Sequence, residues 1–248
     1  MTHSNSTTTL ILGATSAMAE HSARLLATDG DALFLAARNP EDLAPMAEDL
    51  KVRGASAVTI LPAFDALKPD TFADIINQAA PFDRVLIAHG SLPDQEDCQD
   101  SLSKIKQELQ INFQSTVDLC TLCAEKFIDQ GSGTLAVISS VAGLRGRQSN
   151  YIYGAAKGGL NTFLQGLRNR LQTKGIRVIT LLPGFVDTPM TADIKKGPLF
   201  ISAEQAGICI HKAITKSKSD IVYVPSFWRF IMWIIRSIPE PIFKRLKL

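Results

Sequence analysis

The chain has 248 residues and a mass of 26.9 kDa, with 46% hydrophobic and 20% charged residues, which excludes a disordered or fibrous protein and allows one large α/β domain with a sizeable core. Lys and Arg number 26 against 24 Asp and Glu, a net charge of +2, so no chain-wide field calls for nucleic acid. Four cysteines (Cys98, Cys120, Cys123 and Cys209) do not make a disulfide framework, and the polar start, residues 1–9, has no basic region of the kind a signal peptide carries. The apolar run Leu10-Ile11-Leu12 is far too short to span a bilayer, so a cytoplasmic protein is expected.

Short, nearly continuous apolar runs predict strands at 8–12, 32–36, 57–61, 84–88, 133–139, 176–182 and 221–224. Helical patterns separate them at 17–29, 41–53, 68–78, 101–130, 151–174 and 202–217. Such an alternation implies a doubly wound, Rossmann-type sheet of about seven parallel strands with helices on both faces. Ligands of these sheets bind beyond the carboxyl ends of the strands, so chemistry is expected in the strand-to-helix loops. Residues 1–225 read as one dinucleotide-binding domain and 226–248 as an amphipathic tail.

The first strand runs into Gly13-Ala14-Thr15-Ser16-Ala17-Met18-Ala19, which opens a helix. Gly13 can supply the tight turn that aims backbone N–H groups at a pyrophosphate, and Thr15 and Ser16 can add hydroxyls. Alanines at 17 and 19 replace the second and third glycines of the usual pattern, which narrows the approach to phosphate. After the second strand, Ala37 removes the carboxylate that would bind a ribose 2′-hydroxyl and Arg38 supplies a cation for a 2′-phosphate. NADP(H) is therefore expected over NAD(H), the alternative being a solvated surface arginine. Asp65 fits either a contact with the adenine amine or a cap on the helix that follows.

Between Gly133 and Lys157 lies the strongest signal. A strand ends in Val137-Ile138-Ser139-Ser140, and Tyr153-Gly154-Ala155-Ala156-Lys157 follows on a helix that places Tyr153 and Lys157 on one face. An ammonium beside a tyrosine is expected to lower the phenol's pKa, letting Tyr153 exchange a proton with a carbonyl oxygen while a nicotinamide exchanges hydride with the carbon. Ser140 would hold the same oxygen.

These residues make the chain resemble the classical short-chain dehydrogenase/reductase family over about residues 8–224. The family's catalytic serine stands thirteen positions before its tyrosine, the place of Ser140, and its asparagine matches Asn112 in Leu109-Gln110-Ile111-Asn112-Phe113. In the family that asparagine props a water that relays protons from the lysine. The loop Pro183-Gly184-Phe185-Val186-Asp187-Thr188-Pro189-Met190 matches the one whose threonine nears the nicotinamide carboxamide, which puts Pro183, Val186 and Thr188 in the cofactor set with Tyr153 and Lys157. Where the family carries Asn-Asn-Ala-Gly this chain reads Ile87-Ala88-His89-Gly90, so Ala88, His89 and Gly90 edge the cofactor. His89 then either touches cofactor or substrate or serves a structural role through one ring nitrogen. Cys120-x-x-Cys123 lies mid-helix without a second ligand pair and reads as packing; no metal site is expected.

The tail departs from the family. Residues 227–238 are almost wholly apolar, with Arg229 and Arg236 on one stripe, and Lys244, Arg245 and Lys247 follow the break at Pro239-Glu240-Pro241. Such a segment suits the membrane interface or packs on a partner or on its own body. With the cofactor loop and Leu86–Gln95, it resembles a bacterial branch that includes the reductase subunit of decaprenyl-phosphoryl ribose 2-epimerase, which works on a lipid-linked keto-sugar made by a flavin-dependent oxidase partner. The resemblance implies a peripheral reductase turning a small or lipid-linked ketone into a secondary alcohol, or the reverse. Subunits of the family pair as dimers or tetramers through the helices at 101–130 and 151–174. A non-catalytic cofactor sensor, a membrane adaptor or a 3-oxoacyl reductase are the alternatives, and the intact set Asn112, Ser140, Tyr153 and Lys157 argues against the first.

Overall fold

A computed structural model describes residues 6–246; the first five residues, and Lys247 and Leu248 of the expected basic end, lie outside the described part. The first half of the chain forms β1 (Thr8–Leu12), α1 (Ala17–Thr28), β2 (Ala32–Ala36), α2 (Ala44–Val52), β3 (Ala57–Ile60), α3 (Phe72–Ala79) and β4 (Arg84–Ile87). Short helices α4 (Gln95–Gln99) and α5 (Leu102–Leu109) lead to α6 (Ser115–Gln130), followed by β5 (Gly133–Ile138), α7 (Tyr151–Gln172) and β6 (Ile176–Pro183). After the short strands β7 (Val186–Asp187) and β8 (Ile201–Ser202) come α8 (Ala203–Thr215), β9 (Ile221–Val224), α9 (Trp228–Ser237) and α10 (Glu240–Phe243).

Seven strands pair in parallel in the order β3-β2-β1-β4-β5-β6-β9, the doubly wound sheet expected. One face buries Leu10, Phe72, Phe127 and Leu164 under α3, α6 and α7, and the other buries Ile11, Leu26, Leu35 and Ile210 under α1, α2 and α8. The central strands β1, β4, β5 and β6 are buried on both faces because helices cover both, while the edge strands β3 and β9 are partly exposed. The strand order reverses between β1 and β4, and the crevice outside their carboxyl ends is where such sheets take ligands.

Three departures from the sequence reading have local causes. The single helix expected over 101–130 is α5 and α6 joined by a π-helical turn, Gln110–Gln114, whose widened ring accommodates one extra residue at Asn112. Single 3-10 turns, Pro40–Leu43 and Pro69–Thr71, open the helical stretches before α2 and α3, each beginning at a proline that has no N–H to contribute. A separate two-stranded pair, β7 with β8, braces the loop after Pro183.

The tail folds back on the body. The indole of Trp228 sits against Gly184, where a Cβ would stand 1.9 Å from its Nε1, so glycine is what opens the seat. Trp228 and Met232 are buried with Val141 and Leu182. Arg145 fastens the far end: it donates to the Ile238 carbonyl at 3.3 Å and to Glu240 at 2.7 Å, and its guanidinium lies 4.1 Å over the Phe243 ring. The opposite side of α9 stays exposed, with Phe230 at 63% and Trp233 at 65%.

Candidate active site

The crevice at the sheet's switch point is lined by Gly13, Thr15, Ser16, Ala17, Met18, Arg38, Asp65, Ala88, His89, Gly90 and Thr188, all expected there. Gly13 has a φ of +85°, and a Cβ on it would lie 2.6 Å from the His89 backbone nitrogen, so both conformation and space demand glycine. Ser16 stands in extended geometry at the N-cap of α1, leaving that helix's first N–H groups facing the crevice. The exposed Arg38 has no ion-pair or hydrogen-bond partner among the described residues. Asp65 accepts a hydrogen bond from the Leu67 N–H at 3.0 Å; it closes its own turn and does not cap α3, whose N-cap is Thr71.

A second cleft adjoins the first and shares Ser16, Met18, Ala88, His89, Gly90 and Thr188 with it. Its walls bring together Asn112, Ser140, Tyr153 and Lys157, and Pro183 and Val186 also line it. Helix α7 reaches this position because glycines clear its path onto the loop after β5. A Cβ on Gly143 would stand 2.5 Å from the Lys157 carbonyl carbon and 2.6 Å from the Gly158 nitrogen; one on Gly154 would meet the Ala142 oxygen at 3.2 Å. Ser139 secures the same contact by donating to Asn161 Oδ1 at 2.6 Å.

Asn112 is fully buried at the π turn and bound on three sides. Its Oδ1 accepts from the Ser91 N–H at 3.1 Å, and its Nδ2 donates to Glu108 and to the Ser91 hydroxyl, both at 3.0 Å; Ser91 also donates to Glu108. Glu108, four residues before Asn112, was legible as an i,i+4 partner; Ser91 had no sequence signal. A Cβ on Gly90 would lie 3.1 Å from Asn112 Oδ1 and 3.6 Å from Lys157 Nζ, so the amide and the amine flank the same glycine.

Burial governs the titrating groups. Lys157 donates to the Ile138 carbonyl at 3.4 Å, and desolvation pulls its pKa down to about 8. Burial raises the Tyr153 phenol, with the Ser140 hydroxyl acting in the lowering direction. The lowering expected from Lys157 is thus overturned: its ammonium is 5.7 Å from the centre of the Tyr153 ring and turned toward Ile138, and loss of water outweighs it. His89 is pulled down to about 3, first by burial and then by Lys157, and is neutral. Its Nε2 lies 2.8 Å from the Ser115 hydroxyl; because Ser115 donates to the Ile111 carbonyl at 2.9 Å, Nε2 is the donor. The ring packs edge-on against Phe64 and joins the Gly13 crevice to α6. Cys120 and Cys123 are buried in the core, where desolvation raises both thiols, Cys123 to about 12.

Fold and site together define a dinucleotide-binding oxidoreductase. The short chain dehydrogenase family model matches residues 7–198, and the chain belongs to that family. An oxidoreductase of Streptomyces coelicolor is 35% identical over 243 residues, covering 96% of this chain and 94% of that one. The ketoacyl reductase HetN of Nostoc is 27% identical over 223 residues, covering 88% of this chain and 75% of that one. A short chain dehydrogenase from Burkholderia cenocepacia, solved in complex with NADP, shares the fold with a TM-score of 0.83 at 18% identity and covers 98% of each chain. As a short chain dehydrogenase, the protein is an oxidoreductase acting on CH–OH groups with a nicotinamide cofactor and a small-molecule substrate.

The depressed Lys157 pKa sets a stability test. Below pH 8 the folded protein must hold a buried ammonium; between about 8 and the ordinary 10.5 the unfolded chain binds more protons than the folded one, so stability from this group rises with pH. Lys157→Met should therefore raise Tm at pH 7, and the gain should shrink as pH climbs toward 10.5. A gain independent of pH would show that the amine is not held against desolvation.

Proposed function

We propose that this chain reduces a ketone to a secondary alcohol with NADPH, using Tyr153 as the acid. The observation that carries the reading is the meeting of Ser140, Tyr153, Lys157 and Asn112 in one cleft beside the Gly13 crevice. A Cβ-free approach at Gly13 and the unpaired Arg38 fit a dinucleotide with a 2′-phosphate. Bound there, the reduced cofactor supplies hydride to the carbonyl carbon. The Ser140 hydroxyl holds the carbonyl oxygen, and Tyr153 transfers its phenolic proton to it. A phenol raised by burial is fully protonated at neutral pH, the form that reduction needs. The Lys157 ammonium then returns a proton to the phenolate, and the flank of Asn112 connects that amine toward solvent.

The substrate side of the cleft favours an amphiphile. Trp228, Met232 and Ile235 of α9 line it with Phe185 and Ile194, an apolar wall that a small polar ketone leaves unfilled. The other face of the same helix carries Phe230 stacked on Trp233 at 5.9 Å, flanked by Arg229 and Arg236. Aromatic rings at headgroup depth with cations on anionic lipid make this a membrane-surface contact. No helix of the described residues is long and apolar enough to cross a membrane. A lipid-linked keto-sugar delivered by a flavin-dependent oxidase, as in the branch the sequence resembles, suits a cleft walled by such a helix.

Tyr153→Phe should remove turnover while NADPH binding stays nearly intact. In the same titrations NADPH should bind about ten- to a hundredfold more tightly than NADH, the scale of one charge-assisted pair, and Arg38→Ala should erase most of the difference. Loss of binding in step with rate, or equal curves for the two cofactors, contradicts the assignment.

The surface contact has its own test. Phe230→Ser with Trp233→Ser should abolish flotation with anionic vesicles and leave reduction of a water-soluble ketone unchanged, because both side chains are exposed on the face away from the cleft. Flotation that survives the exchange would exclude the membrane contact.

A further inference from the structure

The charges in the substrate cleft are one-sided. Three cationic side chains line it among the described residues, Arg145, Arg147 and Lys157, and no carboxylate does. Two of the three have assignments: Arg145 is paired with Glu240, and Lys157, whose pKa burial lowers to about 8, serves Tyr153. Arg147 has neither an ion pair nor a side-chain hydrogen bond among the described residues, although it is half-buried and desolvation acts against its charge. A guanidinium cannot shed its proton in a protein, so a half-buried one without a counter-charge is kept at a cost that a ligand can offset. Arg147 lines the substrate cleft and not the cofactor crevice, so the cofactor phosphates are not its partner.

We infer that Arg147 recognises an anionic group, a phosphate or carboxylate, on the substrate. The site so assigned takes an amphiphile: an anion on Arg147, a ketone at Tyr153 and Ser140, and an apolar body along Trp228, Met232 and Ile235. A planar guanidinium suits phosphate and carboxylate oxygens, two parallel N–H donors to two acceptors. The loop arrangement supports the division of labour: Arg145, two residues earlier, ties down the tail that forms the apolar wall, while Arg147 faces the cleft that wall encloses. This inference rests on the reductase reading for the position of the ketone, yet the anion site can be measured without turnover.

The test is calorimetric titration of the full chain, saturated with NADP⁺ to block the cofactor crevice, with decyl phosphate and with decanol. Wild-type protein should bind decyl phosphate about ten- to a hundredfold more tightly than decanol. Arg147→Gln should bring the two affinities together, and Arg147→Lys should keep part of the preference. Alongside, Arg147→Gln should raise KM for a long-chain oxo acid and leave KM for its methyl ester unchanged. Equal wild-type affinities, or a preference that survives in Arg147→Gln, overturns the inference. Should Arg147→Gln fail to fold, the wild-type comparison and Arg147→Lys still decide. If no carbonyl compound is reduced at all while decyl phosphate is still preferred, the reductase reading fails and the anion site stands.

Discussion

Backbone lies on backbone where α7 crosses the loop after β5, and the rest of the site depends on that contact. No side chain could intervene between Gly143 and the Lys157–Gly158 peptide, since a single added methyl carbon would lie 2.5 Å from main-chain atoms. Ser140 belongs to one side of this seam and Tyr153 and Lys157 to the other. Their relative placement is therefore fixed by main chain in contact with main chain, with few soft torsions between them. Chemistry that transfers a proton and a hydride to one carbonyl needs that precision, because a misplacement of about 1 Å can cost a hundredfold in rate. Asn112 is set by a comparable device on the opposite wall, a π turn locked by Glu108 and Ser91.

Burial gives these positions their electrostatic character. Burial pushes Lys157 down, Tyr153 up and His89 far down, in each case toward the neutral form. Burial thus weakens the charge of Lys157 and His89 without removing the lysine's at neutral pH, while Arg147 keeps its fixed charge in the same cleft. Helix α9 completes the enclosure from far along the chain, seated by Trp228 in the space that Gly184 leaves. One helix thus presents an apolar wall to the cleft and an aromatic, cationic face to the outside.

Most of the sheet was legible because its strands are short, largely apolar runs, the central ones buried on both faces, and the observed strands fall within a residue or two of those runs. The candidate residues were legible for a different reason: Gly13, Ser140, Tyr153 and Lys157 carry fixed spacings imposed by strand-to-helix loops. What periodicity does not encode was missed. A π turn changes the helical repeat for only five residues, so the stretch around Asn112 read as ordinary helix. Which side of α9 packs inward is decided by Gly184, a partner distant in sequence. Arg147 lies in the loop between β5 and α7, where no periodicity marks it, and its lack of a counter-ion among the described residues is a fact of three-dimensional surroundings. The direction of the Tyr153 shift failed likewise, since four-residue spacing shows that Lys157 is near and not how little water remains.

The most direct test of this account is the rate of NADPH-dependent ketone reduction by Gly143→Ala, measured with cofactor affinity on the same protein. Gly143 lies in the loop after β5 and lines neither cleft, so its methyl group acts by pushing α7 away from Ser140. The account predicts a rate lower by about a hundredfold with NADPH affinity nearly unchanged, the signature of misplaced acid and substrate groups. A variant that folds, binds NADPH and reduces ketone at the wild-type rate would show that the seam does not set the chemistry.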